Sequence, residues 1–287
     1  MEFPKELSLK GEKYVHVDTQ RGGDSAIYIS GLKYLRIGDQ EKVQKNLVIH
    51  KKLESFGFPV PKLIEEGKID GMEFYIEESL GEKHFGLIFR DEVTLNGVIS
   101  DDTFDNYIKV CVRFTEAQLK TCTNNKKWYA FTKAIHLDLL CEELPEYKEK
   151  ILEAYTQVQR KLERIPFVIC HGDFGPFNIY PNGVIDFEDS FSGPLGYDIG
   201  GMIEHLNWFP ESSEYEFYRL YNFTPEQKSL LTGRIDEVYQ MNNLPKLSDN
   251  LSEFNLLRGM WFAVRMGSYP KLQEFRHNLI KNIIDTI

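Results

Sequence analysis

The chain has 287 residues, 42% hydrophobic and 27% charged, with 34 basic against 44 acidic side chains and a net charge of −10. That length suits two lobes, and that charge excludes a phosphate-backbone binder, which needs a basic patch. No run of about 18 apolar residues suits a membrane span, no CxxC pair suits zinc, and the charged start MEFPKELSLKGEK lacks a signal core; the expectation is a cytoplasmic protein with no nucleic-acid or membrane partner.

Residues 14–17 read as a strand, and Arg21-Gly22-Gly23-Asp24-Ser25 as a glycine loop. Residues 26–29 and 32–37 form a hairpin about Gly31. A helix fits 40–56, with Val43, Leu47 and Leu53 on one side, and Phe58-Pro59-Val60-Pro61 ends it. Residues 62–64 and 73–76 read as two more strands. Beyond Gly81 the period turns helical: Phe104, Tyr107, Ile108, Cys111 and Phe114, then Tyr147, Ile151, Tyr155, Val158 and Leu162. Thr224-Pro225-Glu226-Gln227 is a capping box with proline at the first helical position. Residues 251–266 and 271–286 close the chain as helices. The expected architecture is α+β and bilobal. A small β-rich lobe with one helix, residues 1–80, precedes a larger helical lobe, 81–287.

One stretch in the second lobe carries chemistry: FVICHGDFGPFNIYPNGVIDFEDS, residues 167–190. A short apolar strand, 167–170, leads to a loop and then a hairpin about Pro181-Asn182-Gly183. A two-residue Asn-Gly turn would set Asn178 opposite Phe187. A three-residue loop, with Pro181 in a type I position and Gly183 left-handed, pairs Tyr180 with Val184 and Asn178 with Asp186. The second register is preferred because it keeps proline out of the ladder. Facing residues have Cβ atoms about 4.5–5.5 Å apart, so one amide oxygen and one carboxylate could hold a hard cation such as Mg2+. Asp173, just ahead of that pair, is placed to accept a proton from a hydroxyl. The trio suits phosphoryl transfer.

HGDFGPFN, VIDFED and the downstream GYDIG, 196–200, resemble the aminoglycoside phosphotransferase and choline kinase-like family, the small-molecule branch of the protein-kinase-like fold. The resemblance implies Asp173 as base and Asn178 and Asp186 as magnesium ligands. It implies Asp198 as a brace for the loop and His171 as an architectural residue. More loosely, it implies Gly22, Gly23, Asp24 and Ser25 over the donor phosphates, Arg36 as the phosphate-binding base, and the backbone of Glu78 and Leu80 at the adenine. Lys33, read as sharing the Arg36 face of the strand, is a rival. The family's helix supplies a Glu to pair with that base; here Asn46 stands at its place, with Glu41 earlier. The matching segments run from about residue 14 to 208, and the last eighty residues read as generic helices.

The expected function is therefore transfer of the γ-phosphoryl of ATP or GTP to a hydroxyl of a small molecule. The acids Glu188, Asp189, Glu204, Glu211, Glu214 and Glu216 favour an amine-bearing acceptor. A protein kinase is disfavoured, because the short stretch between Asp186 and Tyr197 leaves no room for an activation loop. A non-catalytic relative is the remaining alternative.

Overall fold

The computed structural model describes residues 3–17, 25–219, 222–264 and 269–286. The first lobe is one antiparallel sheet of β1 (Glu6–Leu9), β2 (Glu12–Val17), β3 (Ser25–Ser30), β4 (Lys33–Gly38), β5 (Leu63–Ile69) and β6 (Met72–Glu78), in the order β1-β2-β3-β4-β6-β5. Tyr14, Tyr28, Leu35, Ile37, Phe74 and Ile76 alternate onto its buried face. The helix α1 (Gln40–Ser55) starts where the Asp39 side chain accepts the Glu41 and Lys42 N–H groups. It packs Val43 and Leu47 against Tyr75 of β6.

The second lobe is helical: α2 (Phe85–Asn96), α3 (Asp101–Leu119), α4 (Trp128–Ala134), α5 (Leu137–Glu143), α6 (Lys148–Lys161), α7 (Tyr197–Ile203), α8 (Glu216–Arg219), α9 (Pro225–Met241), α10 (Leu251–Ala263) and α11 (Pro270–Asp285). Both bonds of the capping box at Thr224 form, at 3.2 and 3.1 Å. Sequence periodicity missed α2, α4, α5, α7 and α8, of which all but α2 have seven residues or fewer. It also missed β1, whose alternation is of half-buried and exposed residues. Two small antiparallel pairs lie among the helices: β7 (Phe167–Cys170) with β10 (Phe191–Pro194), and β8 (Ile179–Tyr180) with β9 (Gly183–Val184). Among the described residues no helix is long and apolar enough to cross a membrane.

The β8–β9 hairpin corrects the expected register. Tyr180 pairs with Gly183 and Ile179 with Val184, and the Ile185 N–H donates to the Asn178 carbonyl at 3.0 Å. Asn178 therefore faces Ile185, not Asp186 or Phe187. The turn holds two residues, Pro181 and Asn182. Proline and glycine then occupy the second and fourth turn positions that a type I turn favours. Gly183 is not the left-handed residue of a bulge; it is a strand residue pressed against the α1–β5 connection of the first lobe. A Cβ on it would lie 2.0 Å from the Pro59 carbonyl oxygen. That carbonyl accepts the Val184 N–H at 2.7 Å, and the Leu80 carbonyl accepts the Asn182 N–H at 3.2 Å. Glycine is required here for approach, and that approach sets the register.

Gly183→Ala is accordingly expected to destabilise the protein by roughly 1–3 kcal/mol, the usual range for overpacking. Gly233→Ala, inside α9 with open space at its Cβ, should stabilise it by about 0.5–1 kcal/mol. Urea unfolding of the two variants checks both signs.

Candidate functional site

The segment between β7 and β8 is a loop held from beneath. Asp198, on α7, is 3% exposed. Its carboxylate accepts the His171 N–H at 2.9 Å, the Gly172 N–H at 3.1 Å and the Gln118 amide at 2.8 Å. Burial pushes this carboxyl up, against the pull of His171 and the two backbone donors. His171 is fully buried. Its Nε2 meets the Ile185 carbonyl at 2.7 Å, and its Nδ1 accepts the Asp173 N–H at 3.2 Å. One imidazole thus ties the loop to the segment that runs from β9 to Asp186. Gly172 has φ +89, and a Cβ there would lie 2.8 Å from the Asp189 carbonyl oxygen; the left-handed, crowded position demands glycine.

On this frame stand the three residues that the sequence singled out. The Asn178 amide nitrogen donates to the Asp173 carbonyl at 2.9 Å. That bond fixes which end of the amide is oxygen and turns the oxygen away from the loop backbone. Asp186 follows directly on Ile185, the partner of Asn178. A continuing strand would send its side chain to the opposite face, but Asp186 has φ +67. This left-handed break, which Asp tolerates, ends the alternation. Asp186 lines a solvent-open cleft, together with Arg36, Asn46, Glu77 and Glu188. Phe187 anchors the turn, edge-on to Phe58 at 5.8 Å.

Asp173 has a partner that the motifs did not announce. Arg258, on α10, donates from Nη2 to Asp173 Oδ1 at 2.9 Å, and from Nη1 to the Gly172 carbonyl. Its guanidinium lies 4.1 Å over the Trp261 ring and 4.6 Å over Phe262, and Gly201 makes room for its stem. The arginine is 2% exposed, whereas half of the Asp173 side chain faces solvent. Burial pushes the Asp173 carboxyl up, but the Arg258 charge, helped by His171, overcomes it and holds the group below the usual carboxylate range. Arg258 lies in the stretch read only as generic helix. A lone arginine at an apolar helix spacing, LLRGMWF, was the available signal.

In the first lobe Arg36 reaches the cleft and Lys33 does not. The two are three residues apart, hence on opposite faces of β4, not the same face. Lys33 pairs with Glu12 at 2.7 Å. The Arg36 Nε donates to Glu77 Oε1 at 2.9 Å. The expected helix acid is absent: Asn46 donates to Glu188 Oε1 at 3.0 Å, and Glu41 is exposed in the first turn of α1. Ser25 opens β3 opposite Gly38; Gly22, Gly23 and Asp24 lie outside the described residues. At the linker, the Glu78 N–H already donates to the Lys62 carbonyl at 2.9 Å, and the Leu80 carbonyl accepts from Asn182. Among the described residues no group of three or more His, Cys, Asp or Glu is placed to hold a metal. Asp186 and the Asn178 oxygen are hard donors, of the kind that would suit a magnesium ion finished by water and phosphate.

The sequence pattern of the APH phosphotransferase enzyme family matches residues 32–229. No curated protein matches the chain. Solved structures share the fold at low identity. A choline/ethanolamine kinase family protein from Mesorhizobium loti is 13% identical with a TM-score of 0.56, over 95% of this chain and 88% of that one. An aminoglycoside phosphotransferase from Streptomyces rimosus is 14% identical with a TM-score of 0.51, over 87% and 92%. Another aminoglycoside phosphotransferase, in complex with AMP-PNP and hygromycin B, is 13% identical with a TM-score of 0.50, over 95% and 93%.

The Arg258 contact makes a testable statement about charge. The unfolded Asp173 carboxyl titrates near 3.9, and the folded one lies below it. Its contribution to stability is present above the unfolded value and is lost as pH falls through the folded one. In Arg258→Gln the main opposition to burial is gone and the carboxyl should titrate above its wild-type value. Carbon-detected NMR titration of the Asp173 carboxyl in both proteins checks the direction.

Proposed function

Because the chain belongs to the APH phosphotransferase enzyme family, we propose that it is a small-molecule kinase, moving the γ-phosphoryl group of ATP or GTP to a hydroxyl of a small acceptor. One observation carries this reading. A single buried frame holds Asp173, Asn178 and Asp186 together, through the Asn178–Asp173 bond and the His171–Ile185 bond. On this reading Asp173 is the base. Its carboxylate is half exposed, oriented by Arg258 and kept ionised, so it can take the acceptor's proton as the oxygen attacks. Asn178 and Asp186 would hold Mg2+, which when bound neutralises charge on the donor's phosphate oxygens. Arg36 faces the same cleft and would meet those phosphates, and by the family resemblance Gly22, Gly23, Asp24 and Ser25 would serve the same group. Residues 1–80 would serve as the nucleotide lobe, with Glu78 and Leu80 near the base, and 81–287 as the lobe for catalysis and acceptor. A cytoplasmic setting accords with the donor and with four free cysteines.

A protein kinase fits less well. β10 occupies 191–194 and α7 begins at Tyr197, which leaves no segment for a phosphorylatable activation loop. A non-catalytic relative would show no magnesium-dependent nucleotide hydrolysis in the absence of acceptor.

The two carboxylates are expected to behave differently. Asp186→Ala should abolish transfer and weaken magnesium-dependent nucleotide binding. Asp173→Ala should cut turnover by roughly 10²–10⁴-fold, the worth of a general base, with nucleotide affinity nearly unchanged. Calorimetry alongside turnover separates them; equal loss of affinity and rate in Asp173→Ala would remove it from the base role.

An amine-bearing acceptor is the finer reading. Glu211, Glu214 and Glu216 are exposed. Beside them Tyr218 stacks on Phe209 at 4.6 Å and meets Phe177, from the 171–178 loop, at 5.7 Å. Acids and aromatic faces both attract a cation. Glu204 adds little, because Lys228 neutralises it at 3.0 Å. Amino sugars or amino alcohols should outperform neutral sugars, with a KM that rises with salt as screening shortens to about 10 Å near 0.1 M. A neutral acceptor turned over efficiently with a salt-independent KM would overturn this choice and leave the kinase assignment standing.

A further inference from the structure

The proposed phosphate-binding base has an unexpected partner. Arg36 lies opposite Tyr75 in the β4–β6 ladder. Glu77 is two residues further along β6, on the same face, and reaches Arg36 Nε diagonally at 2.9 Å. Glu77 is 4% exposed. A carboxylate so enclosed needs compensation, and Arg36 supplies it on one oxygen; Nδ1 of His50, on α1, lies 3.8 Å from the other. His50 is itself anchored, its Nε2 meeting the Pro61 carbonyl at 2.6 Å. The helix position expected to carry the acid is Asn46, and its amide is turned to Glu188.

We propose that Glu77 is the positioning residue for Arg36, replacing an acid on the helix. The proposal rests on the reading of Arg36 as a phosphate ligand. A guanidinium offers five N–H donors in a rigid fork. With Nε held by Glu77, the two Nη ends remain to meet phosphate oxygens side by side. Both members of the pair sit in adjacent, hydrogen-bonded strands, so their spacing is set by the sheet. Displacement of α1 does not separate them. The helix takes a different part: through Asn46 it ties Glu188, two residues past Asp186, to the first lobe.

The test compares two probes, ATP with magnesium and adenosine, by calorimetry on wild type, Glu77→Gln, Arg36→Met and the double variant. Glu77→Gln keeps the shape and removes the charge. Loss of a charge-assisted bond should weaken ATP roughly 10- to 100-fold while adenosine, which has no phosphate, binds as before. The double variant should be no weaker than Arg36→Met alone, because the two residues act as one unit. Glu77→Asp, which shortens the reach to Arg36, is the second variant and should show the same selective loss. Unchanged ATP affinity in Glu77→Gln, equal losses for ATP and adenosine, or additive losses in the double variant would each overturn the proposal. A wild type that binds ATP no better than adenosine would instead overturn the phosphate reading of Arg36 beneath it.

Discussion

The carboxylate of Asp198 receives the His171 and Gly172 N–H groups and the Gln118 amide, and the geometry of the 171–178 loop follows from those bonds. They leave the loop backbone no donor of its own to satisfy at this point. His171 can then span to the Ile185 carbonyl, and the hairpin that ends in Asp186 is set relative to Asp173. Two residues that touch no proposed substrate therefore fix the spacing of three that would. The brace draws on separate parts of the chain: α3 gives Gln118, which also donates to the Ile169 carbonyl at 3.0 Å, and α7 gives Asp198.

Two arginines divide the remaining electrostatic work. Arg36 meets a buried acid within the sheet of the first lobe, and Arg258 meets a half-exposed one at the loop of the second. Each is held by contacts on its far side: Glu77 grips Nε of Arg36, and Trp261 and Phe262 lie against the Arg258 guanidinium. A planar cation suits both places because it can stack, donate in two directions and stay charged.

Much of this was legible in the residues. The strands from β2 to β6 and the long helices α1, α3, α6, α9, α10 and α11 followed from periodicity, the capping box from its four letters, and the family from HGDFGPFN, VIDFED and GYDIG. The hairpin register was not, because it depends on the Pro59 carbonyl, 124 residues from Gly183 along the chain, and local turn preferences allowed more than one answer. Arg258 and Glu77 were missed for the same reason. Each matters through a partner distant in sequence, and neither sits in a pattern that marks it out. The reading of Lys33 failed on simple parity: three residues along a strand reverse the face.

Arg258 lies beyond residue 229, where the family pattern ends, yet it closes on Asp173. The order of synthesis gives this a consequence. A nascent chain can lay down the first sheet, the 171–178 loop and Asp198 while α10 is still to be made. Until then Asp173 has no counter-charge, and the apolar faces of α7 that pack on α10 are bare. The last helices thus act as a clasp on work already done, and a polypeptide released early would expose a greasy seam to proteases and chaperones while carrying every motif by which its family is recognised.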